Sequence, residues 1–89
     1  MEQYQFWWDE RNIEHIADHG VEPYETEEVI DDSPLVLKAG QGKYAAYGQA
    51  DSGRYLLVVY AIKSEERIRV VTARDLTFAE KKRLKRRRR

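Results

Sequence analysis

The chain has 89 residues, 42% of them hydrophobic and 36% charged, with five Gly and two Pro, a composition that fills one small core and leaves no room for a second. It contains no Cys, which excludes disulfides, thiolate zinc sites and cysteine nucleophiles. A formal net charge of zero hides two opposed halves: residues 1–33 carry eleven acids against one base, Arg11, for a net of −10, whereas residues 34–89 carry fifteen bases against five acids, for a net of +10.

Residues 4–8 form a short aromatic strand candidate, and Asp9 after it suits a helix N-cap. Trp7 and Trp8 point to opposite sides of such a strand, so one packs inward and the other is left as an anchor for a partner chain. Ile13, Ile16 and Ala17 recur at helical spacing, and Gly20 stands where a left-handed cap ends that helix near His19. Pro23 opens a second helix, with Glu25, Glu27 and Glu28 in its early turns, that runs to about Ile30. Asp31, Asp32, Ser33 and Pro34 are turn formers.

Extended periodicity then predicts four strands, over residues 35–39, 43–49, 54–62 and 67–73, with separators of hairpin length that imply antiparallel pairing. The third is apolar on both faces and belongs in the middle of the sheet. Thr77 and Glu80 form a capping box opening a last helix, which leads into a stretch where eight of nine residues are basic. The order β-α-α-β-β-β-β-α describes an α+β fold: one domain over residues 1–80, helices on one face of the sheet, the other face open, and residues 81–89 a basic helix end and tail. No apolar run approaches the roughly 20 residues of a membrane helix. The first ten residues lack the basic start and apolar middle of a secretion signal, so the cytoplasm is the expected location.

On the last strand Arg67 and Arg69 point opposite to Ile68 and Val70. Lys43 and Tyr47 lie on one face of a neighbouring strand, and a basic sheet with aromatic side chains is a platform for single-stranded nucleic acid. Arg54, Arg67, Tyr47 and the helix-end residues Lys81, Lys82, Arg83, Lys85 and Arg86 are the candidate RNA contacts. The same arrangement also describes an ordinary solvated face.

Several segments taken in order resemble a known family: Trp8-Asp9 opening the first helix, His15-Ile16 and His19-Gly20-Val21 at its end, and the Glu- and Val-rich helix over residues 23–30. Gly48, the run Gly53-Arg54-Tyr55-Leu56 and the arginine-bearing strand from Arg67 to Thr72-Ala73-Arg74 continue the series. Together they resemble the BrnT ribonuclease toxins of type II toxin-antitoxin systems. Gln49 departs from that pattern, which commonly has Arg after the strand Gly.

The resemblance implies a RelE-like fold, a cognate antitoxin partner with possible homo- or hetero-oligomers, and an endoribonuclease that inhibits translation. The cut needs no metal: the ribose 2′-hydroxyl attacks the adjacent phosphate, which requires a base, cations on the phosphorane and an acid for the leaving oxygen. Arg69 and Arg74 are the first choices for phosphate stabilisation, with Lys43 behind them. His19 is the first candidate for proton transfer and His15 the second, although His19 fits equally well as a cap on the last carbonyls of its helix. The two histidines are four residues apart, a metal-ligand spacing, but the Glu of a metalloprotease helix is missing and no metal or other cofactor is expected. The alternative is a non-catalytic RelE-like module that binds nucleic acid or an acidic protein.

Overall fold

The computed structural model describes residues 5–32 and 35–87. Tyr4 of the first strand, Ser33 and Pro34 of the turn, and the last two arginines lie outside them. The elements are β1 (Gln5–Phe6), α1 (Glu10–Ala17), α2 (Pro23–Asp31), β2 (Leu35–Gly40), β3 (Lys43–Gln49), β4 (Tyr55–Lys63), a single 3₁₀ turn over Ser64–Glu66, β5 (Arg67–Asp75) and α3 (Phe78–Arg87). The five strands form one sheet in the order β1-β5-β4-β3-β2.

Helix α1 begins where Asp9 accepts the amide of Asn12 (3.2 Å) and Asn12 accepts that of Asp9 (2.8 Å). It ends at Gly20, whose φ of +73° is a conformation that costs side-chain-bearing residues energy. The amides of Gly20 and Val21 then close on the carbonyls of Ala17 and Ile16. Ile16, Val21 and Val29 pack with Leu56, Val58, Ile68, Val70 and Ala73 into the main core between the two helices and one face of the sheet. Trp8 joins this core and donates its indole N–H to Glu27 (2.7 Å), whereas Trp7 faces outward.

Three features depart from the sequence reading. The sheet is mixed, because β1 lies parallel to β5, with Gln5 beside Arg67 and Phe6 beside Ile68; a pair separated by most of the chain is not held to hairpin geometry. The second face is only partly open. Helix α3 covers one end of it, where Leu84 and Leu76 pack on Ala45 and Leu57, and burying Leu84 stabilises the docked helix by roughly 2 kcal/mol. The helix extends to Arg87.

The third departure is a β-bulge. Val70 pairs with Tyr60 and Thr72 with Val59, leaving Val71 as the extra residue. Ile68 and Val70 before it and Ala73 after it all face the main core, while Arg69, Thr72 and Arg74 face the other way.

Candidate active site

The bulge lies on the part of β5 that β1 does not reach, so the strand's outer edge is free for side chains to approach from α1. Arg69 is opposite Ala61 on β4, and Ala61 is opposite Lys43 on β3, which puts Lys43 and Arg69 in one cross-strand row. Lys63 pairs with Arg67 in the next row, roughly 7 Å along the strand. The basic side chains of β3, β4 and β5 thus collect at the end of the second face that α3 leaves uncovered.

Two open clefts of about 360 Å³ each flank this edge and share Arg69 and Val71 as their common wall. The first is lined by Arg11, Asn12, His15, Arg69, Val70 and Val71. The second runs over Lys43, Lys63 and the β2–β3 turn at Gln41 and Gly42. In the first cleft His15 Nε2 stands 3.1 Å from Thr72 Oγ1, so an exposed imidazole is tethered next to the bulge. His19 is one turn further along, with ring centroids 5.8 Å apart, and lines neither cleft. Among the described residues no three His, Asp or Glu side chains converge on a point.

Arg69 is held from two sides. Its Nη2 is 3.1 Å from Asp9 Oδ2, and its guanidinium carbon is 4.9 Å from the centre of the Trp7 ring. The Asn12 amide and then Arg69 hold the Asp9 carboxyl below its usual range, so it stays charged. Arg69 Nη1 is buried with no acceptor among the described residues, a cost of roughly 1–3 kcal/mol. A half-exposed ion pair offsets at most about 1 kcal/mol of that. Contact with the indole face adds a compensation of about 0.5–2 kcal/mol.

Asn12 is the buried clamp of the site. Its amide donates to Trp7 O (3.0 Å) and Val70 O (3.4 Å), fixing the exit of β1 to the edge of β5. Position 12 falls on the inward side of α1 and would ordinarily be apolar; here three backbone groups need a partner.

The other cations expected at the site are engaged elsewhere. Arg74 faces the same side as Arg69 but forms a two-pronged pair with Glu80, 2.9 Å at each prong. That bond, together with the Thr77 amide, pulls the Glu80 carboxyl down to about 2. Arg54 is not presented to a ligand either: it binds Asp75 (2.7 Å), Glu25 (3.0 Å) and the carbonyl of Gly20 (2.7 Å), joining three segments. Tyr47 is half-buried beneath α3. On α3 the Lys81 and Lys85 ammonium groups lie over Tyr55 and that of Lys82 over Phe78, while Arg83 edges a small groove against β2. These side chains, with the exposed Arg86, form a second basic surface apart from the two clefts.

A model of the family described as ribonuclease toxin, BrnT, of type II toxin-antitoxin system matches residues 7–80, a span that includes both clefts entirely. The chain belongs to the BrnT family. As a BrnT protein it is a ribonuclease toxin, with RNA as its substrate and an antitoxin as its protein partner. Among solved structures it is similar to the Brucella abortus ribonuclease toxin BrnT, known from a 1.1 Å crystal structure, with a TM-score of 0.69 and 20% identity over 84% of this chain and 99% of that one. At that identity the likeness establishes the fold. The search of curated proteins returned no match. No helix among the described residues is long and apolar enough to cross a membrane.

Within this BrnT chain the sequence reading missed Arg11, Asn12, Lys63 and Thr72. Arg11 carried a signal, being the one base in the acidic third of the chain. Thr72 carried none, since strict alternation from Val70 turns it toward the core and the bulge reverses that.

Proposed function

We propose that this toxin cleaves RNA without a metal, by attack of a ribose 2′-hydroxyl on the adjacent phosphate, and inhibits translation in the cytoplasm by doing so. The observation that carries the reading is the placement of exposed His15 in one cleft with Arg69 and Arg11, with Lys43 two strands from Arg69 in the same cross-strand row. His15 takes the 2′ proton. The 2′ oxygen bonds to phosphorus while Arg69 and Arg11 stabilise the charge that accumulates on the phosphorane oxygens. The P–O5′ bond then breaks, water entering the open cleft protonates the departing oxygen, and the ends left are a 2′,3′-cyclic phosphate and a 5′-hydroxyl.

Lys43 and Lys63 hold the neighbouring phosphate in the second cleft, so the strand crosses the edge of β5 over Val71. Arg74 acts indirectly, by fixing α3 through Glu80, and the cations of α3 supply sequence-independent attraction. The antitoxin silences the enzyme by covering the row from Lys43 to Arg69.

The test is cleavage of an RNA oligonucleotide and of its all-deoxy counterpart by the purified chain. RNA scission with cyclic phosphate ends, and an intact deoxy strand, is the expected result. Binding of both without scission overturns the proposal and leaves a nucleic-acid-binding module.

A further inference from the structure

We propose that Trp7 is a positioning residue of the nuclease: its indole ring, which Arg67 also approaches, fixes the guanidinium of Arg69 at the wall between the two clefts. The inference rests on the reading of Arg69 as the phosphate clamp. Trp7 is well placed to act as a rigid support. Its amide donates to Ile68 O (2.9 Å) and its carbonyl accepts from buried Asn12 (3.0 Å), so its backbone is fixed on both sides. Phe6 and Trp8 pack inward, which leaves the Trp7 ring facing outward on the side of β5 that carries the arginines.

Arg67 and Arg69 are two residues apart on one face of β5, where like charges repel. Their guanidinium carbons stand 5.2 and 4.9 Å from the centre of the Trp7 ring, whose electron-rich face attracts both. The ring is not among the residues lining either cleft, so Trp7 acts through Arg69 and does not touch the strand being cut. Arg69 Nη1, buried with no acceptor among the described residues, belongs to a guanidinium that Asp9 holds through its other terminal nitrogen. An apolar side chain at position 7 would leave that group with the carboxylate alone and free to turn away from the cleft.

The experiment uses the full chain and two variants, Trp7→Phe, which keeps an aromatic face, and Trp7→Leu, which keeps an apolar side chain without one. Each is assayed for kcat and KM on an RNA oligonucleotide, alone and combined with Arg69→Ala. Trp7→Leu is expected to lower kcat about tenfold, the rate equivalent of one cation–π contact, with KM little changed, and Trp7→Phe to restore most of it. In the Arg69→Ala background Trp7→Leu should cost nothing further, because its effect passes through the missing side chain.

A second measurement needs no activity. The Arg69 side-chain NMR signals of the free protein should show a ring-current shift in the wild type and in Trp7→Phe and lose it in Trp7→Leu. Full activity of Trp7→Leu, a loss that adds in full to that of Arg69→Ala, or Arg69 signals indifferent to the substitution would each overturn the role of Trp7. If Arg69→Ala cuts RNA as the wild type does, the reading of the clamp fails instead, and the catalytic consequence fails with it.

Discussion

Asp9 and Arg69 are sixty residues apart in the chain and form an ion pair, Nη2 to Oδ2 at 3.1 Å. The same carboxylate caps α1 by accepting the amide of Asn12. One side chain therefore starts the helix that carries His15 and anchors the arginine facing it, which sets the spacing between the proposed base and the proposed phosphate clamp.

Arg69 and Arg74 should separate cleanly when each is replaced by Ala. Arg69→Ala is expected to lower the cleavage rate by about 10²–10³, the range for a lost transition-state donor. Its melting temperature should fall by no more than about 4–8 °C, since its ion pair is half-exposed. Arg74→Ala is expected to behave in the opposite way, losing stability while the folded protein still cuts RNA. Calorimetry beside a cleavage assay reads both; a stable but inactive Arg74→Ala would return that residue to the site.

Glu80 gives the fold an acid-sensitive element. Its carboxyl titrates at about 2 against an ordinary 4.5, so the folded state prefers it charged. The stabilisation is complete above about pH 4.5 and is lost as pH falls toward 2. The full shift corresponds to roughly 3 kcal/mol, and exposure of Arg74 reduces the expected contribution to about 1–2 kcal/mol. Urea unfolding of wild type and Glu80→Gln should show that gap at pH 7 and a narrowing one below pH 4.5. Curves that stay parallel down to pH 2 would contradict the assignment.

The two histidines differ in placement, since His15 lines the cleft with Arg69 and His19 does not. Replacing His15 by Ala is expected to lower the single-turnover rate by about 10²–10⁴, as for a lost general base. Replacing His19 by Ala should leave that rate nearly unchanged. The reverse order would move proton transfer one turn along α1.

Lys43 and Lys63 should act on binding. Changing both to Ala is expected to raise KM and to flatten the dependence of log affinity on log salt by about 0.7 for each phosphate contact removed. Titration of a non-cleavable 2′-deoxy strand across a salt series measures it. An unchanged slope would place the flanking phosphate elsewhere.

Local chemistry is written in single residues, and much of it was legible without coordinates. Asp9 as an N-cap, Gly20 as the stop of α1, Pro23 at the start of α2 and Thr77 with Glu80 as a capping box all depend on neighbours within a few positions. The apolar β4 had to be central because both of its faces need cover, and the segment series from Trp8 to Arg74 carried the resemblance to BrnT. What only the tertiary structure decided is which cations share a surface. Arg69 and Arg74 are five apart, so unbroken alternation puts them on opposite faces; one extra residue, Val71, unites them. The pairing of β1 with β5, the docking of α3 through Leu84 and the capture of Arg74 by Glu80 and of Arg54 by Asp75 then leave Arg69, Arg11, His15 and Lys43 around the clefts. Pattern along a chain reports the periodicity of its own backbone. A bulge, a parallel partner or an ion pair depends on what other segments bring to it, and that information is spread over the whole chain.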